Sequence, residues 1–243
     1  MNRVVELWRY PVKSMLGERR ESLRVEMRGV HGDRLFAIRD ANGKLGSGKH
    51  TRRFRRIDGL FGFRARYDNG NDVPQIDFPD GTQVGGEAPS IHRALSDALG
   101  LPVTLAREAD ISHFDSAPIH LVTTGSLAWL RAALPGAGID ARRFRPNLVI
   151  EVPDAEPIEQ AWIGRRLRVG EVELQVSGTT ERCGMTAFAQ DELPKAPEVL
   201  RHITQRADLK FGVYAQVRVP GEIRLHDPVI LLDPATPASR ARA

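Results

Sequence analysis

Short segments of alternating hydrophobic and polar residues recur along most of this chain. Leu23, Val25 and Met27 alternate with charged residues, which predicts a strand with one buried face. Other apolar or alternating segments have the length of strands and end at glycine, proline or asparagine turns. The predicted strands cover residues 4–10, 23–27, 34–39, 62–67, 75–78, 103–106, 119–123, 148–152, 167–169, 172–176, 211–219, 222–225 and 229–232.

Helical periodicity is confined to three short segments. They cover residues 89–99, 126–134 and 197–206. In the first of them, Ile91, Leu95 and Leu99 fall on one face, and Gly100 suits the position just after a helix. With three short helices among many strands, the pattern predicts a mainly β protein with some α structure and a β-barrel-like architecture.

The hydrophobic pattern loosens into polar residues between 110 and 117, and we place a domain boundary there. This division predicts an N-terminal domain at 1–110 and a C-terminal domain at 111–233. The last segment, 234–243, is rich in alanine, proline and arginine and is predicted to be a disordered tail.

Composition narrows the class of protein. The chain has 243 residues and a single cysteine. One cysteine excludes a disulfide within the chain, and it excludes zinc or iron–sulfur sites built from several cysteines. No apolar segment approaches the roughly 20 residues of a membrane span, and the N-terminus lacks the layout of a signal peptide. We therefore expect a cytoplasmic protein with no membrane contact.

Basic residues cluster at one point of the sequence, where Arg52, Arg53, Arg55 and Arg56 surround Phe54. Such a cluster could contact phosphate or RNA, but a solvated face is the commoner use of these residues. The net charge of +4 is modest. It does not favour nucleic acid as a partner.

Residues 43–50 nearly match a Walker A phosphate-binding loop. Both glycines and the lysine have the required spacing, but His50 stands where that loop carries a serine or threonine for Mg²⁺. The segment also follows the hairpin signal Asn42-Gly43, rather than leading from a strand into a helix. We therefore predict a glycine-rich hairpin loop here.

Cys183 is the leading candidate for chemistry. It follows the predicted strand at 172–176, and Arg182 directly precedes it. A neighbouring guanidinium favours the charged thiolate, which is both a nucleophile and a soft metal ligand. The alternative is a small, buried and unreactive side chain.

Two further segments could bind an anion. Arg145 and Asn147 flank Pro146, whose ring fixes the turn and holds both side chains in place. Thr124 and Ser126 lie at the start of a predicted helix, where free N–H groups and hydroxyls can bind an anion. A structural turn explains the first segment as well, and ordinary N-capping explains the second.

Taken together, the short motifs resemble the family of MOSC domain proteins that carry a MOSC N-terminal β-barrel domain. The family takes its name from the C-terminal part of molybdenum cofactor sulfurase and includes the amidoxime-reducing components. The resemblance runs from about Val4 to Leu232. Its motifs are Tyr10-Pro11-Val12-Lys13-Ser14, Arg145-Pro146-Asn147, Ile163-Gly164, Arg182-Cys183, Phe211-Gly212 and Pro220-Gly221-Glu222-Ile223. It implies an N-terminal barrel-like domain followed by a MOSC-type β-barrel.

The resemblance also implies a cofactor, Mo-molybdopterin, with Cys183 as the catalytic residue and the ligand of molybdenum. The residues expected to bind this cofactor are Lys13, Ser14, Arg34, Lys49, Thr124, Ser126, Arg145, Asn147 and Arg182. Lys49 stands where relatives often carry arginine, and Glu181 stands where the amidoxime reducers carry a small polar residue. Residues 185–193 lack the relatives' aspartate-proline stretch, and His226-Asp227 replaces their Gly-Asp. These departures leave the substrate open.

The implied activity is two-electron reduction of N-hydroxylated small molecules: hydroxylamines, amidoximes and N-hydroxylated bases. The sequence shows no dinucleotide-binding fingerprint, so the expected electron donor is a separate flavin, ferredoxin-like or haem protein. The alternative is a module that carries the molybdenum cofactor, or takes part in sulfur transfer, without turnover.

Overall fold

The computed structural model describes residues 1–68 and 72–232, so the predicted tail at 234–243 lies outside the described residues. The described part of the chain is mostly β, as the hydrophobic pattern predicts, and contains three α-helices. The helices are α1 (Ile91–Leu99), α2 (Thr124–Ala133) and α3 (Pro197–Ala207). All three fall where the 3.6-residue period predicts them, within a few residues at each end.

The described strands are short and follow one another closely. In chain order they are β1 (Arg3–Arg9), β2 (Glu18–Arg20), β3 (Ser22–Glu26), β4 (Gly29–Val30), β5 (Phe36–Asp40), β6 (Leu45–Ser47), β7 (Phe54–Arg56), β8 (Arg64–Arg66), β9 (Gln75–Asp77), β10 (Gln83–Gly85), β11 (Val103–Arg107), β12 (Ile119–Thr123), β13 (Leu148–Glu151), β14 (Arg166–Val169), β15 (Val172–Glu181), β16 (Lys210–Val219), β17 (Gly221–Arg224) and β18 (Val229–Leu232).

The largest sheet joins the two ends of the chain. Its eight strands have the order β18-β14-β15-β16-β12-β13-β1-β2. β1 pairs with β13, so that Leu7 lies opposite Leu148, and β3 pairs with β17. Val4 and Leu23 consequently share one core with Leu174 and other residues of the C-terminal half. The sheet order has β18 and β2 at its two ends, and an isolated bridge between Arg3 and Pro228 joins β1 to the residue before β18.

A second core belongs to the N-terminal half. Two small sheets, with the orders β11-β5-β6-β7 and β10-β9-β8, pack together with α1. Their buried side chains include Met15, Ile38, Phe63 and Leu95. The division into domains at 1–110 and 111–233 stays a prediction.

Two local differences from the predicted elements affect the functional site. β15 continues to Glu181, five residues beyond the predicted strand at 172–176, and pairs with β16 through several register shifts. Residues 45–47 form β6 and run parallel to β7, without a helix after the glycine loop. The Asn42-Gly43 turn is held by Asp40, whose side chain accepts backbone N–H bonds from Asn42 and Lys44. The predicted Asn42-Gly43 hairpin turn is therefore confirmed, but residues 45–47 form a strand where the sequence predicts a loop.

None of the helices in 1–68 and 72–232 is long and apolar enough to cross a membrane.

Candidate functional site

A cavity lies where the two cores meet, and most of the predicted site residues line it. It encloses about 80 Å³ and opens to solvent. Its walls come from the segment after β1, the start of β5, the loop after β6, the turn before β13 and the end of β15. We call it the cationic cavity. Eight predicted site residues line it: Lys13, Ser14, Arg34, Lys49, Arg145, Asn147, Arg182 and Cys183.

Cys183 lies just after β15, one of the two longest strands of the large sheet. It follows Glu181, the last residue of β15, by two positions, and a 3₁₀ turn over Gly184–Ala187 begins after it. Thr186 fixes this turn, because its N–H and its hydroxyl both donate to the carbonyl of Cys183, at 3.2 and 3.0 Å. The thiol is half-buried and lines the cavity, unlike a cysteine packed inertly among aliphatic side chains.

Three residues at the cavity have left-handed backbone conformations. Ser14, Arg34 and Arg145 have φ values of 66°, 49° and 56°. Residues other than glycine adopt this region at a cost, and such strain persists only where surrounding contacts impose it. The turns at these positions direct side chains from three separate segments to one place.

Arg145 is a deeply enclosed cation of the cavity. It is 8% exposed, and its Nη1 donates to the carbonyl of Met15 at 2.7 Å. Its guanidinium lies over the rings of Tyr10 and Phe61, at 4.2 and 5.5 Å from the centroids. Burial lowers the pKa of Arg145 to about 10, which leaves it charged at neutral pH. Its Nη2 is buried without a hydrogen-bond partner among the described residues.

Arg34 is held by a buried carboxylate. Its Nη1 forms an ion pair with Asp33, and its Nη2 donates to the carbonyl of Arg145 at 3.0 Å. Asp33 also accepts the N–H of Tyr10 at 2.7 Å, so the acid is fixed by the backbone of a second segment. Burial opposes the charge of Arg34, but the carboxylate of Asp33 raises the pKa of Arg34 above its usual value.

A buried histidine connects two of the arginines. Nδ1 of His120 lies 3.3 Å from the carbonyl of Arg145, and Nε2 lies 3.4 Å from Nη1 of Arg182. Burial and the charge of Arg182 hold the pKa of His120 well below its usual value, so the ring is neutral. Gly212 makes room for it: its φ is +80°, and a Cβ there would lie 2.7 Å from Nε2 of His120.

Arg182 carries the second unpaired donor. Its Nη2 donates to the carbonyl of Phe144 at 2.8 Å, and its N–H donates to the carbonyl of Leu209 at 2.7 Å. Burial lowers the pKa of Arg182 below its usual value. Its Nε is buried without a partner among the described residues.

Two lysines share one carboxylate at the mouth of the cavity. Nζ of Lys13 lies 3.1 Å from Asp115, and Nζ of Lys49 lies 3.5 Å from the same oxygen. Both ammonium groups also lie over the ring of Phe54, at 4.9 and 4.8 Å from its centroid. Burial lowers the pKa of Lys13 to about 8, although Asp115 acts in the opposite direction. Burial opposes the charge of Asp115 too, but the two lysines hold its pKa well below the usual value.

Asn147 lines the cavity but uses its amide elsewhere. Its Oδ1 accepts the N–H of His120 at 3.1 Å, and its Nδ2 donates to the carbonyl of Trp8 at 3.3 Å. These bonds tie β1 to the segment before β13. They position Arg145, two residues earlier, rather than leave the amide free for a ligand.

Thr124 and Ser126 do not line the cationic cavity. The hydroxyl of Thr124 is bonded to Val152, and the hydroxyl of Ser126 donates to the buried carboxylate of Glu159. Thr123 caps α2 by accepting the N–H of Ser126 at 3.1 Å, and it donates to Glu159 at 2.7 Å. The hydroxyls at the start of α2 and the N–H of Ser126 are therefore satisfied within the chain, as the N-capping alternative predicts.

The basic cluster after residue 51 is also largely paired. Arg55 forms an ion pair with Asp40, and Arg56 forms one with Asp58. Arg53 donates to the carbonyl of Ser112, and Phe54 is buried beneath the two lysines of the cavity. The ring of Phe54 lies under the ammonium groups of Lys13 and Lys49 and holds them in position. The sequence gives no sign of this role.

Several lining residues have no signal in the sequence. They are Phe114, Asp115, His120, Met185 and Tyr214. Asp115 falls in the polar segment at 110–117, where the pattern marks only a boundary. His120 and Tyr214 lie in apolar strands and are brought together only by the pairing of β12 with β16.

The side chains of the cavity have the chemistry that suits a polyanionic cofactor with a soft metal, although the enclosed volume of about 80 Å³ would hold only part of one. Five cations and two acids line the cavity, and two buried guanidinium groups have N–H donors without acceptors. Forked guanidinium donors suit phosphate, and a thiolate suits a soft metal. No group of three His, Cys, Asp or Glu side chains in the described ranges could hold a metal by itself. Cys183 would thus be one ligand among others that the cofactor supplies.

Family comparisons agree with the motifs around this site. The model of the MOSC domain matches residues 108–230, and the model of the MOSC N-terminal beta barrel domain matches residues 1–98. The chain therefore belongs to the MOSC domain family, and the resemblance stated from its motifs is confirmed.

Two curated relatives are similar in sequence to part of this chain. Molybdenum cofactor sulfurase from Drosophila grimshawi is 36% identical over 96 residues, which cover 39% of this chain and 12% of that protein. Mitochondrial amidoxime-reducing component 1 from Homo sapiens is 32% identical over 136 residues, which cover 50% of this chain and 39% of that protein. The chain thus spans less than half the length of either relative.

Among solved structures, the YuaD protein from Bacillus subtilis is similar over 94% of both chains, with a TM-score of 0.50 and 14% identity. At this identity the likeness concerns the fold alone.

Proposed function

We propose that this protein binds the molybdenum cofactor in the cationic cavity and reduces N-hydroxylated small molecules with electrons from a separate protein. One observation carries the proposal: the half-buried thiol of Cys183 shares a cavity with Arg145, whose buried Nη2 has no acceptor within the described chain. A buried donor without an acceptor is costly, so a ligand that accepts from it is favoured. The partial similarity to an amidoxime-reducing component supports the reaction class.

The roles of the residues follow from their positions. Arg145, Arg34 and Lys13 come from three segments and would bind the cofactor's phosphate, which Arg145 can contact through its free Nη2. Cys183 would hold molybdenum through its thiolate. When bound, the cofactor would supply the two-electron chemistry at the N–OH bond.

Reduction of an N–OH bond consumes two electrons and two protons and releases water with the reduced nitrogen compound. One group of the chain could hold one of those protons. Tyr214 lines the cavity, and burial raises the pKa of its hydroxyl, so that it remains protonated and can donate. The rim beside Cys183, where Glu181 is exposed, is open to solvent, which could supply the other proton.

The direct test is the metal and pterin content of protein made in a host that produces the cofactor. Wild-type protein should carry molybdenum and pterin in comparable amounts. Cys183→Ser should lose the metal and keep the melting temperature of cofactor-free wild-type protein. The loaded wild-type protein should then reduce benzamidoxime when it is supplied with a reduced flavin or haem electron-transfer protein.

Two results separate the proposal from its alternative. Molybdenum without turnover with any donor would select a cofactor carrier or a sulfur-transfer module, the role that the partial match to the sulfurase suggests. Protein that contains neither molybdenum nor pterin in the competent host would rule out both.

A further inference from the structure

A second cavity adjoins the cationic cavity and has a different character. It encloses about 610 Å³, and its walls include Leu16, Ile57, Leu60, Phe61 and Phe188. The charged residues Arg56, Asp58, Asp191 and Lys195 also line it. The rings of Phe61 and Phe188 meet edge to face, with centroids 6.3 Å apart. We call it the apolar cavity. Its size lies within the range of ordinary small-molecule sites, which are largely apolar with a few polar groups.

Met185 lines both cavities and forms the wall between them. Its Sδ lies 4.0 Å from the hydroxyl of Ser14 on the cationic side. A Cβ on Gly48 would lie 2.2 Å from Cγ of Met185 and 3.2 Å from Phe188. Met185 can pack in this position only because residue 48 has no side chain. A methionine side chain is unbranched and adaptable. The wall can therefore move more easily than one built from branched residues.

Gln190 brings an unpaired carboxamide to the apolar cavity. The residue lines the cavity and is 2% exposed, yet neither its Oε1 nor its Nε2 has a hydrogen-bond partner among the described residues. Its backbone is fixed by two bonds with Leu193, at 3.0 and 2.8 Å. A buried carboxamide without partners is unfavourable, so a ligand that offers it both an acceptor and a donor would be favoured.

We propose that the apolar cavity is a binding site for a planar aromatic molecule that carries an amide-like edge with both a donor and an acceptor. The ring would pack against Phe61 and Phe188, and the edge would pair with Gln190. Met185 would lie between this ligand and Cys183. The claim that this ligand is the substrate of the reaction at Cys183 rests on the proposed function. The claim that the apolar cavity binds such a molecule does not.

Binding can be tested on cofactor-free protein with two probes of the same shape. 2-Naphthamide has a donor and an acceptor, whereas 2-acetylnaphthalene has only the acceptor. Fluorescence titration should show 2-naphthamide binding about tenfold more tightly, because only it satisfies both sides of a carboxamide. Gln190→Leu should abolish this preference and keep the weaker binding. Its melting temperature should not fall, since the change removes an unpaired buried polar group.

The position of the probe can be read from methionine methyl signals. The chain has four methionines. In protein labelled at the methionine methyl groups, 2-naphthamide should shift the signal that Met185→Leu removes. The signals of Met1 and Met27, which are exposed, should stay in place.

The inference fails if neither probe binds, if the preference survives in Gln190→Leu, or if the Met185 methyl signal does not respond. If the loaded enzyme reduces benzamidoxime while the apolar cavity binds neither probe, the binding-site inference fails and the proposed function stands. Cys183→Ser should bind 2-naphthamide as the wild type does. If it does so while no molybdenum is found in the wild-type protein, the proposed function fails and the binding site stands.

Discussion

The cationic cavity and the first turn of α2 both present hydrogen-bond donors, and the sequence nominates both as anion sites. They differ in what those donors bind. At α2, Thr123 accepts the N–H of Ser126, and both hydroxyls donate to the buried Glu159. In the cationic cavity, donors on Arg145 and Arg182 have no acceptor in the described chain.

The difference shows how a ligand site can be told from a structural element of the same composition. Each buried donor needs an acceptor, and a structural element finds that acceptor within the fold. At the first turn of α2, the hydroxyls donate to the carboxylate of Glu159, which belongs to the same chain and takes the place of an external anion. The two acids that line the cationic cavity, Asp115 and Glu181, lie at its mouth and rim, and the side chain of Asp115 is 43% exposed.

The largest expected effect concerns the unpaired donor of Arg145. In Arg145→Lys the charge is retained, but the fork is lost, because the ammonium group can replace only the bond to the carbonyl of Met15. Sulfate, as a stand-in for phosphate, should bind to cofactor-free protein about tenfold more weakly or worse. NMR titration at constant ionic strength measures this. Unchanged affinity would mean that the free Nη2 is not part of the anion site.

The matched change at α2 should have the opposite outcome. Ser126→Ala removes a hydroxyl that donates to Glu159, and it should lower the free energy of unfolding by about 1–3 kcal/mol without changing sulfate affinity. Urea unfolding and the same NMR titration measure the two effects. A loss of sulfate affinity in this variant would return the helix start to the list of ligand sites.

The pH dependence of this loss has a definite sign. Burial raises the pKa of Glu159 in the folded protein, although the hydroxyls of Ser126 and Thr123 act against it. A raised carboxyl pKa means that its stabilising effect is present at low pH and is lost as pH rises through the folded value. Ser126→Ala removes one opposing bond and raises this pKa further, so the destabilisation should be larger at pH 7 than at pH 4.

How far the sequence predicts this molecule depends on the range of the interactions involved. The three helices and most of the longer strands follow from local periodicity, and Lys13, Arg145 and Cys183 follow from short motifs. The hydrophobic pattern does not predict the short strands β2, β4, β6, β7 and β10. Asp115, His120 and the ring of Phe54 reach the cavity only through pairing between distant strands and loops. Composition also cannot distinguish Thr124 and Ser126 from ligand-binding residues, because their partners, Val152 and Glu159, lie more than 25 residues away.

Lys13 gives anion binding in the cationic cavity a pH dependence of its own. Burial lowers the pKa of Lys13 to about 8, so its ammonium group is charged at pH 7 and mostly neutral at pH 9. Sulfate keeps its charge over this range. Its affinity should therefore fall by several-fold, up to about tenfold, as pH rises from 7 to 9. In Lys13→Met the affinity should be lower at pH 7 and nearly constant over the same range. A wild-type profile that is flat would mean that Lys13 does not contact the anion.

The smallest expected effect is a gain at the mouth of the cavity. Asp115 forms ion pairs with Lys13 and Lys49, so an incoming anion has to displace its carboxylate from these two ammonium groups. Asp115→Asn removes one negative charge, and since the acid is half-exposed, the gain in sulfate affinity should be only about three- to fivefold. Asp58→Asn is the matched control, because its partner Arg56 does not line the cationic cavity. Equal effects of the two substitutions would show that overall charge sets the affinity. A gain confined to Asp115→Asn would show that this carboxylate competes directly with the ligand, as the 3.1 Å contact with Lys13 implies.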